Sequence, residues 1–234
     1  MIIPNEAIKF ILLQRTGYLN DSLFLKFLSK VENKNSFLLN LSNQFKKTFY
    51  ADSIKNKFVD DIENEYKDMA LFLPSKVDSV LDIGSGLGLM NLFLSNHYDG
   101  SVNIHLLDKS EIERNIYYGF NSKRTPFYNS LALAKNILIR NGVKEKNIHT
   151  HEVEEYDSCF EAKKYDLITS YISLGFHYPL KTYINEILSS LKDGGVLIID
   201  IRKDTEQIEE IKRYFSIVEI ISNRSKSLRI SARV

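Results

Sequence analysis

The stretch that decides the fold is VLDIGSGLGLMNLFLSNHY, residues 80–98. It begins with a short apolar run typical of a buried strand and ends with the apolar pattern of a helix. Between the two, Gly84 and Gly86 permit a tight turn and a close approach of the backbone to a ligand, while Gly88 allows the helix to pack on the strand. The stretch therefore predicts a strand–turn–helix unit with a ligand at its turn.

Outward from this unit, strand and helix patterns alternate from residue 77 onward. Five predicted strands are short and largely apolar, as expected of parallel strands buried on both faces: Ser79–Ile83, Val102–Leu107, Asn147–Val153, Asp166–Ser170 and Gly195–Ile201. Two further runs, Ile217–Ser222 and Leu228–Val234, are joined by so short a loop that they must pair antiparallel. The predicted fold class is α/β, a doubly wound seven-stranded sheet that is mostly parallel with one antiparallel strand. Such a sheet binds ligands at the carboxyl ends of its central strands.

The N-terminal third carries helical rather than strand patterns. We therefore predict a helical N-terminal extension over residues 1–75, followed by a ligand-binding domain over residues 76–234. The extension could act as a lid, with Tyr50, Tyr66 and Phe72 lining the site. The alternative is a helical layer that covers an exposed sheet edge.

Composition sets limits on the function. The chain has 234 residues, a hydrophobic content of 44% and a formal charge of +1, which disfavours a nucleic-acid partner without excluding one. The single cysteine, Cys159, excludes an intrachain disulfide and a Cys-rich metal site. No His, Asp and Glu cluster has metal-ligand spacing, so no metal is predicted. With no convincing signal peptide and no long apolar run, we expect a cytoplasmic protein without a membrane partner; the oligomeric state stays open.

The spacing of the glycines discriminates between cofactors. A dinucleotide site needs G-x-G-x-x-G, and its third position falls here on Leu89. The carboxylate of Asp82 would repel a pyrophosphate at the helix N-terminus, whereas it suits a ligand with an ammonium and a sulfonium. A phosphate-binding loop of the Gly-Lys-Ser/Thr kind is absent from this turn. The turn therefore favours S-adenosylmethionine over NAD.

The segment DIGSGLG resembles the first motif, D/E-x-G-x-G-x-G, of the class I (Rossmann-like) S-adenosylmethionine-dependent methyltransferases. The segments HLLDKS, HTHEVEE, YDLITSY and LKDGGVLIIDIR resemble later motifs of the same family, and the terminal hairpin matches its reversed strand. The resemblance covers residues 77–234. It implies an enzyme that uses S-adenosyl-L-methionine as its cofactor.

The resemblance also implies a set of cofactor-binding residues: Asp82, Gly84, Ser85, Gly86, Gly88, Asp108, Lys109, Glu152, Val153 and Ser170. Asp108 ends the second strand, where a carboxylate can accept both ribose hydroxyls of a nucleoside. Glu152 is expected to bind the adenine amino group, with Val153 packing nearby. A register shifted by two residues would make Glu154 the contact instead.

The loop Ser170–Pro179 lies where the methyl acceptor arrives in this family. It lacks the Asn/Asp-Pro-Pro-Tyr signature, which disfavours amino-adenine and glutamine-amide acceptors. It offers His177 between Phe176 and Tyr178, and we predict that His177 is a general base or a substrate-orienting group. The alternative is a histidine that caps or packs at a helix start.

An aromatic insert follows the second strand, with two cations that could bind an anionic group: Tyr117, Tyr118, Phe120, Phe127 and Tyr128 with Lys123 and Arg124. Its rings could equally pack beneath a surface loop. With the acceptor loop, it is loosely similar to uncharacterised bacterial small-molecule methyltransferases, some assigned as sugar O-methyltransferases.

The leading hypothesis is an O-methyltransferase whose acceptor is a hydroxyl of a small molecule, a sugar or a sugar-bearing metabolite being one candidate. One alternative is an RNA methyltransferase that uses a basic cluster near the C-terminus, formed by Arg202, Lys203, Arg213, Arg224, Lys226 and Arg229. Another is a non-catalytic binding subunit with the same fold.

Overall fold

The computed structural model describes residues 1–15, 18, 51–110, 129–154 and 159–234. Within these ranges the sheet has seven strands: β1 (Ser79–Ile83), β2 (Asn103–Asp108), β3 (Ile148–Glu152), β4 (Tyr165–Ser170), β6 (Leu191–Arg202), β7 (Ile217–Asn223) and β8 (Ser227–Arg233). A further extended segment, β5 (Ser173–Tyr178), lies beside the sheet. The predicted strands are all present, and β6 begins at Leu191 rather than at Gly195.

The strand order is β3-β2-β1-β4-β6-β8-β7. Strand β8 runs antiparallel to both of its neighbours, while the other pairs are parallel. The predicted fold class is therefore confirmed, with β8 as the reversed strand. Because the chain winds from β1 toward β3 and then returns to β4 on the other side of β1, the carboxyl ends of β1 and β4 form the switch point at which such sheets bind ligands.

Six α-helices flank the sheet in the described part of the chain: α1 (Ile8–Gln14), α2 (Ala51–Met69), α3 (Leu89–His97), α4 (Leu131–Arg140), α5 (Ile184–Ser190) and α6 (Gln207–Tyr214). Residues along β1 alternate between two cores, so that Val80 packs with α1 to α4 and Leu81 with α5 and α6. The described N-terminal helices thus share one core with the sheet. The predicted boundary at residue 75 falls between α2 and β1 and stays a prediction, and the calls on residues 19–50, including Tyr50, lie outside the described residues.

Three histidines stack at the β2–β3 edge of the sheet. The ring of His105 lies 4.4 Å from that of His149 and 5.2 Å from that of His151, and its Nδ1 is 3.0 Å from Nε2 of His151. Burial, with Lys164 nearby, lowers the pKa of His105 to about 3. Within the described residues, no group of three or more His, Cys, Asp or Glu side chains is arranged to hold a metal ion.

Among the helices in the described ranges, none has the length and apolar composition needed to cross a membrane.

Candidate active site

The glycine turn is held by the ends of two neighbouring strands. Gly84, Gly86 and Gly88 have φ values of +72°, +55° and +70°, which side-chain-bearing residues rarely adopt. The N–H of Gly84 donates to the carbonyl of Leu107 at 2.7 Å. A Cβ on Gly84 would lie 2.0 Å from Oγ of Ser173, so the turn is pressed against the start of β5. The backbone geometry and the lack of space together require glycine at residue 84.

Asp82 is buried at the end of β1 and connects three elements. Its Oδ2 accepts a hydrogen bond from Asn91 of α3 at 2.5 Å, and its Oδ1 accepts one from the hydroxyl of Thr169 of β4 at 2.8 Å. Burial raises the pKa of Asp82 to about 6, although both hydrogen bonds oppose the shift. The carboxylate is thus fixed in place on the wall of a cavity.

Asp108 stands at the end of β2, next to Asp82. One carboxylate oxygen accepts from the backbone N–H of Gly86 and the other from that of Lys109, each at 2.7 Å. Burial raises the pKa of Asp108 to about 7, and the negative charge of Asp82 adds to the shift. Two adjacent strand ends therefore present carboxylates with raised pKa values to the same cavity.

The cavity has a volume of about 1000 Å³ and lies at the carboxyl edge of the sheet. It brings together most of the residues predicted from the sequence: Asp82, Gly84, Ser85, Gly86, Asp108, Val153 and His177. Two more residues of its wall, Gln14 and Asn129, belong to no motif, and so sequence reasoning missed them. A Cβ on Gly86 would lie 3.2 Å from the side-chain oxygen of Gln14, so the end of α1 covers the glycine turn.

Other predicted residues lie beside the cavity rather than on its wall. Glu152 accepts from the backbone N–H of Ser110 at 2.9 Å, and Lys109 forms an ion pair with Glu154 at 3.2 Å. The hydroxyl of Ser170 donates to the carbonyl of Ile83 at 2.8 Å and accepts from the backbone at 3.0 Å, which ties β4 to β1. A Cβ on Gly88 would meet side chains of β2 and α4 at 3.6–3.7 Å, an ordinary contact distance, so its role in helix packing stays a prediction.

Two buried polar groups of the wall favour a polar ligand. Within the described residues, Oγ of Ser85 and the side-chain oxygen of Asn129 have no hydrogen-bond partner, while the amide N–H of Asn129 faces the carboxylate of Asp108. Because an unsatisfied buried polar atom costs about 1–3 kcal/mol, a ligand that bonds to these groups would be stabilised. With Asp82 and Asp108, these groups fit the cationic, hydroxyl-bearing S-adenosylmethionine.

His177 lies on the wall as part of β5, which corrects the prediction of a loop at Ser170–Pro179. The strand forms because Gly175 lets it approach β6: a Cβ there would lie 2.9 Å from the carbonyl oxygen of Asp200. Burial and the positive charge of Arg202 lower the pKa of His177. The imidazole is therefore neutral near pH 7, which is the form that accepts a proton.

Comparison with known proteins places the chain in a family. Residues 43–224 match a family model described as a methyltransferase domain. The chain belongs to this methyltransferase family. Membership confirms that the enzyme is a methyltransferase with S-adenosylmethionine as its cofactor. No curated protein is similar enough to be matched.

Solved structures resemble the methyltransferase at low sequence identity. A candidate O-methyltransferase of Nostoc punctiforme PCC 73102 is 16% identical with a TM-score of 0.53, over 80% of this chain and 59% of that one. A candidate S-adenosylmethionine-dependent methyltransferase of Listeria monocytogenes is 14% identical with a TM-score of 0.49, over 72% and 97%. The methyltransferase thus spans less than two thirds of the Nostoc protein, and the likeness to that protein concerns the fold alone.

One face of α2 forms part of the wall in the methyltransferase. Phe58, Ile62 and Glu65 line the cavity, at spacings of four and three residues that place them on one side of the helix. Tyr66, which under the lid alternative could line the site, is not part of the cavity wall, and its ring stacks on Phe93 at 5.4 Å. Phe72 does not line the cavity either.

Glu65 is the centre of a buried ionic cluster in the methyltransferase. Its Oε1 accepts from Arg15 at 3.0 Å and from Arg224 at 3.1 Å, and its Oε2 accepts from Arg229 at 3.0 Å. Burial alone would raise the pKa of Glu65, but the three arginines lower it to about 2. Arg229 is fully buried and binds both carboxylate oxygens of Asp200 at 2.8 Å.

The ionic cluster around Glu65 includes two of the six cations that could form a basic patch near the C-terminus. Arg229 is buried, and Arg224 is engaged by Glu65, whereas Lys203 and Arg213 are exposed. The six cations therefore do not form one exposed surface.

The aromatic insert of residues 117–128, with Lys123 and Arg124, lies outside the described residues.

Proposed function

We propose that this enzyme transfers a methyl group to a hydroxyl of a small molecule, with a sugar or a sugar-bearing metabolite as one candidate acceptor. The observation that carries the proposal is the placement of His177, neutral near pH 7, on the same cavity wall as the glycine turn. A hydroxyl is a poor nucleophile until a base accepts its proton, and a neutral imidazole is the commonest base near neutral pH.

The residues at the carboxyl ends of β1 and β2 would hold the cofactor. Asp82 and Asp108 supply negative charge toward its cationic groups and acceptors for its hydroxyls, while Ser85 and Asn129 supply further polar contacts. Val153 supplies an apolar contact. When bound, S-adenosylmethionine provides a methyl group activated by a positively charged sulfur.

His177 would accept the proton of the acceptor hydroxyl. The nearby Arg202, whose Nε donates to the carbonyl of Phe176 at 2.8 Å, is already positively charged, and it therefore disfavours the protonated form of His177. The proton is therefore held only briefly and passes to water. Phe176 and Tyr178 flank the base on the wall, where rings can pack against the body of an acceptor.

The test is a screen for release of S-adenosylhomocysteine with sugars, phenols and RNA as acceptors. With the acceptor found, we expect His177→Ala to lower kcat by about 10²-fold or more while the affinity for S-adenosylmethionine is unchanged. The exposed His97 lies outside the cavity, so His97→Ala is the matched control and should stay within a few-fold of wild type. Turnover of His177→Ala within a few-fold of wild type would refute the base role.

The same screen decides between the alternatives. Methylation of RNA alone would favour the RNA methyltransferase over the small-molecule enzyme. Absence of cofactor binding would favour a non-catalytic subunit. The cytoplasmic location stays a prediction from the sequence.

A further inference from the structure

The charged side chains of the cavity wall fall into two groups. At the ends of β1 and β2 stand the carboxylates Asp82 and Asp108. The rest of the described wall carries five cations and two carboxylates, namely Arg15, Lys181, Arg202, Arg224 and Lys226 with Glu65 and Glu210. The part of the wall beyond the strand ends of β1 and β2 is therefore net positive, by more than the single carboxylate of S-adenosylmethionine would neutralise.

Much of this positive charge comes from one tight turn between β7 and β8. The turn has the sequence Arg224-Ser225-Lys226-Ser227, and all four residues line the cavity. The N–H of Arg224 donates to the carbonyl of Ser227 at 2.9 Å, which closes the turn. A guanidinium, an ammonium and two hydroxyls within four residues form a set of donors suited to an anionic oxygen group.

The turn adjoins the proposed base. Ser227 is the register partner of Arg202 in the β6–β8 pair, and the backbone N–H of Lys203 donates to the carbonyl of Lys226 at 3.3 Å. Arg202 in turn lies close enough to His177 to lower its pKa. Arg202, beside His177, and the turn residues Arg224 and Lys226 thus form a cationic strip on the cavity wall.

The side chain of Arg224 is held in place by a residue of α2. Its Nη1 donates to Glu65 at 3.1 Å, and Glu65 also binds the buried Arg229. Nη2 of Arg224 also lies 3.8 Å from Oδ2 of Asp68, a half-exposed carboxylate, and Glu65 is shared among three arginines in the described part of the chain, so the two pairs leave further N–H groups of the guanidinium for a ligand. The group is held in a defined place while its positive charge is only partly compensated.

We propose that the acceptor carries a carboxylate or phosphate group, which the β7–β8 turn binds through Arg224 and Lys226 with Arg202 alongside. This rests on the proposed methyl transfer to a small-molecule hydroxyl, and it names the class of that molecule: a hydroxylated anion. The anionic group lies on the cationic strip, and the hydroxyl is directed toward His177.

A simpler role for Arg224 is to anchor α2 through Glu65. The two roles differ in what a substitution changes, because loss of an anchor lowers thermal stability and loss of an anion site lowers affinity for anions. Lys226 separates them, since its side chain is exposed and lines the cavity. Lys203, exposed on the neighbouring segment and absent from the wall, offers a matched control.

The experiment has two arms. In the first, inorganic phosphate is titrated by calorimetry at constant ionic strength into the enzyme saturated with S-adenosylhomocysteine. In the second, release of S-adenosylhomocysteine is measured for paired acceptors: glucose 6-phosphate and glucuronate against glucose, glycerate against glycerol, and 4-hydroxybenzoate against 4-hydroxybenzamide. Wild type, Arg224→Gln, Lys226→Gln and Lys203→Gln are compared, each with its thermal midpoint.

We expect phosphate to bind wild type and Lys203→Gln equally, and to bind Lys226→Gln and Arg224→Gln about tenfold more weakly or worse. The charged member of an accepted pair should have a kcat/KM at least about tenfold above its neutral partner, and Lys226→Gln should raise its KM without a change in thermal midpoint. If phosphate binds Lys226→Gln and Arg224→Gln more weakly than wild type and the carboxylate acceptors turn over slowly, the acceptor carries a phosphate group. If the carboxylate acceptors turn over well and the phosphorylated acceptor slowly, the acceptor carries a carboxylate group.

The proposal is overturned if phosphate does not bind, if all variants bind it equally, if neutral acceptors are used as well as charged ones, or if RNA alone is methylated. A failure of the proposed methyl transfer gives a different result from a failure of the anion site. In that case phosphate binding still depends on Lys226, but S-adenosylmethionine does not bind or no acceptor releases S-adenosylhomocysteine.

Discussion

The carboxylate of Asp108 accepts a 2.7 Å hydrogen bond from the backbone N–H of Gly86, although 22 residues separate the two. This bond fixes the glycine turn to the end of β2 and places the carboxylate on the cavity wall beside Asp82. Burial at this point raises the pKa of Asp108 to about 7 and that of Asp82 to about 6. Cofactor binding should therefore be linked to protonation.

We predict that S-adenosylmethionine binds more weakly as the pH falls from about 8 to about 5.5, because the cation requires ionised carboxylates and acid protonates Asp108 first. The dissociation constant should rise by up to about tenfold for each pH unit per proton displaced. Calorimetry in two buffers with different ionisation enthalpies measures both the constant and the protons released. An affinity that does not change over this range would contradict the assignment of these carboxylates.

Gly84→Ala should unfold the turn locally and abolish cofactor binding, because the new Cβ would lie 2.0 Å from Oγ of Ser173. Gly100 is the matched control. It has a similar φ of +67°, but a Cβ there meets nothing within 4 Å. Gly100→Ala should therefore cost only the strain of a left-handed residue, about 1–2 kcal/mol, with cofactor affinity unchanged. Equal calorimetric affinities for both variants would show that the contact with Ser173 is unimportant.

Glu65→Gln should destabilise the fold by about 3–5 kcal/mol, since it removes a charge that compensates the buried Arg229 and two half-buried arginines. For a chain of this length, the thermal midpoint should fall by roughly 6–20 °C. Glu63→Gln on the same helix is the control, because Glu63 forms an exposed pair with Lys67 and should shift stability by less than about 0.5 kcal/mol. If both variants melt alike in calorimetric scans, the Glu65 cluster does not stabilise the protein.

The stacked histidines should make the fold sensitive to mild acid. The pKa values of His105, His149 and His151 are all lowered, chiefly by burial, so the unfolded chain binds more protons than the folded one below about pH 6.5. This contribution to stability is full above that pH and is lost as the pH falls through the interval toward the lowered pKa values. His105 alone should account for about 2 kcal/mol between about pH 6.5 and about pH 5.

Urea unfolding at a series of pH values measures this loss. His105→Gln should reduce the dependence of the unfolding free energy on pH, even though it weakens the packing at neutral pH. His97 lies outside the cluster, so His97→Gln should keep the wild-type dependence. A His105→Gln variant with the full wild-type dependence would exclude the cluster as its source.

Local patterns in the sequence were sufficient to predict the glycine turn and the strands of the sheet. The turn at Asp82–Gly88 depends on three glycines with positive φ values, and these glycines lie close together in the sequence. Strand β5 was not predicted, because SLGFHY contains a glycine and lacks a clear alternation. It is extended because Gly175 fits against the backbone of β6, a contact between segments far apart in the sequence.

Glu65 shows why part of the site could not be predicted. It stands in the charged run DIENEYKD, which indicates a solvated helix face. It is buried because Arg15, Arg224 and Arg229, from three distant segments, compensate its charge. The turn Arg224–Ser227 joined the cavity for the same reason, through the pairing of β8 with β6.

The central claim is that the glycine turn and the carboxylates of Asp82 and Asp108 bind S-adenosylmethionine. Its most direct test is calorimetric titration of the cofactor into wild type, Asp82→Ala, Asp108→Ala and, as a control, Asp204→Ala at an exposed position outside the cavity. We predict one site in wild type and in Asp204→Ala, with affinity lowered at least about tenfold in each of the other two variants. No binding to wild type, or equal binding to all four proteins, would contradict the claim.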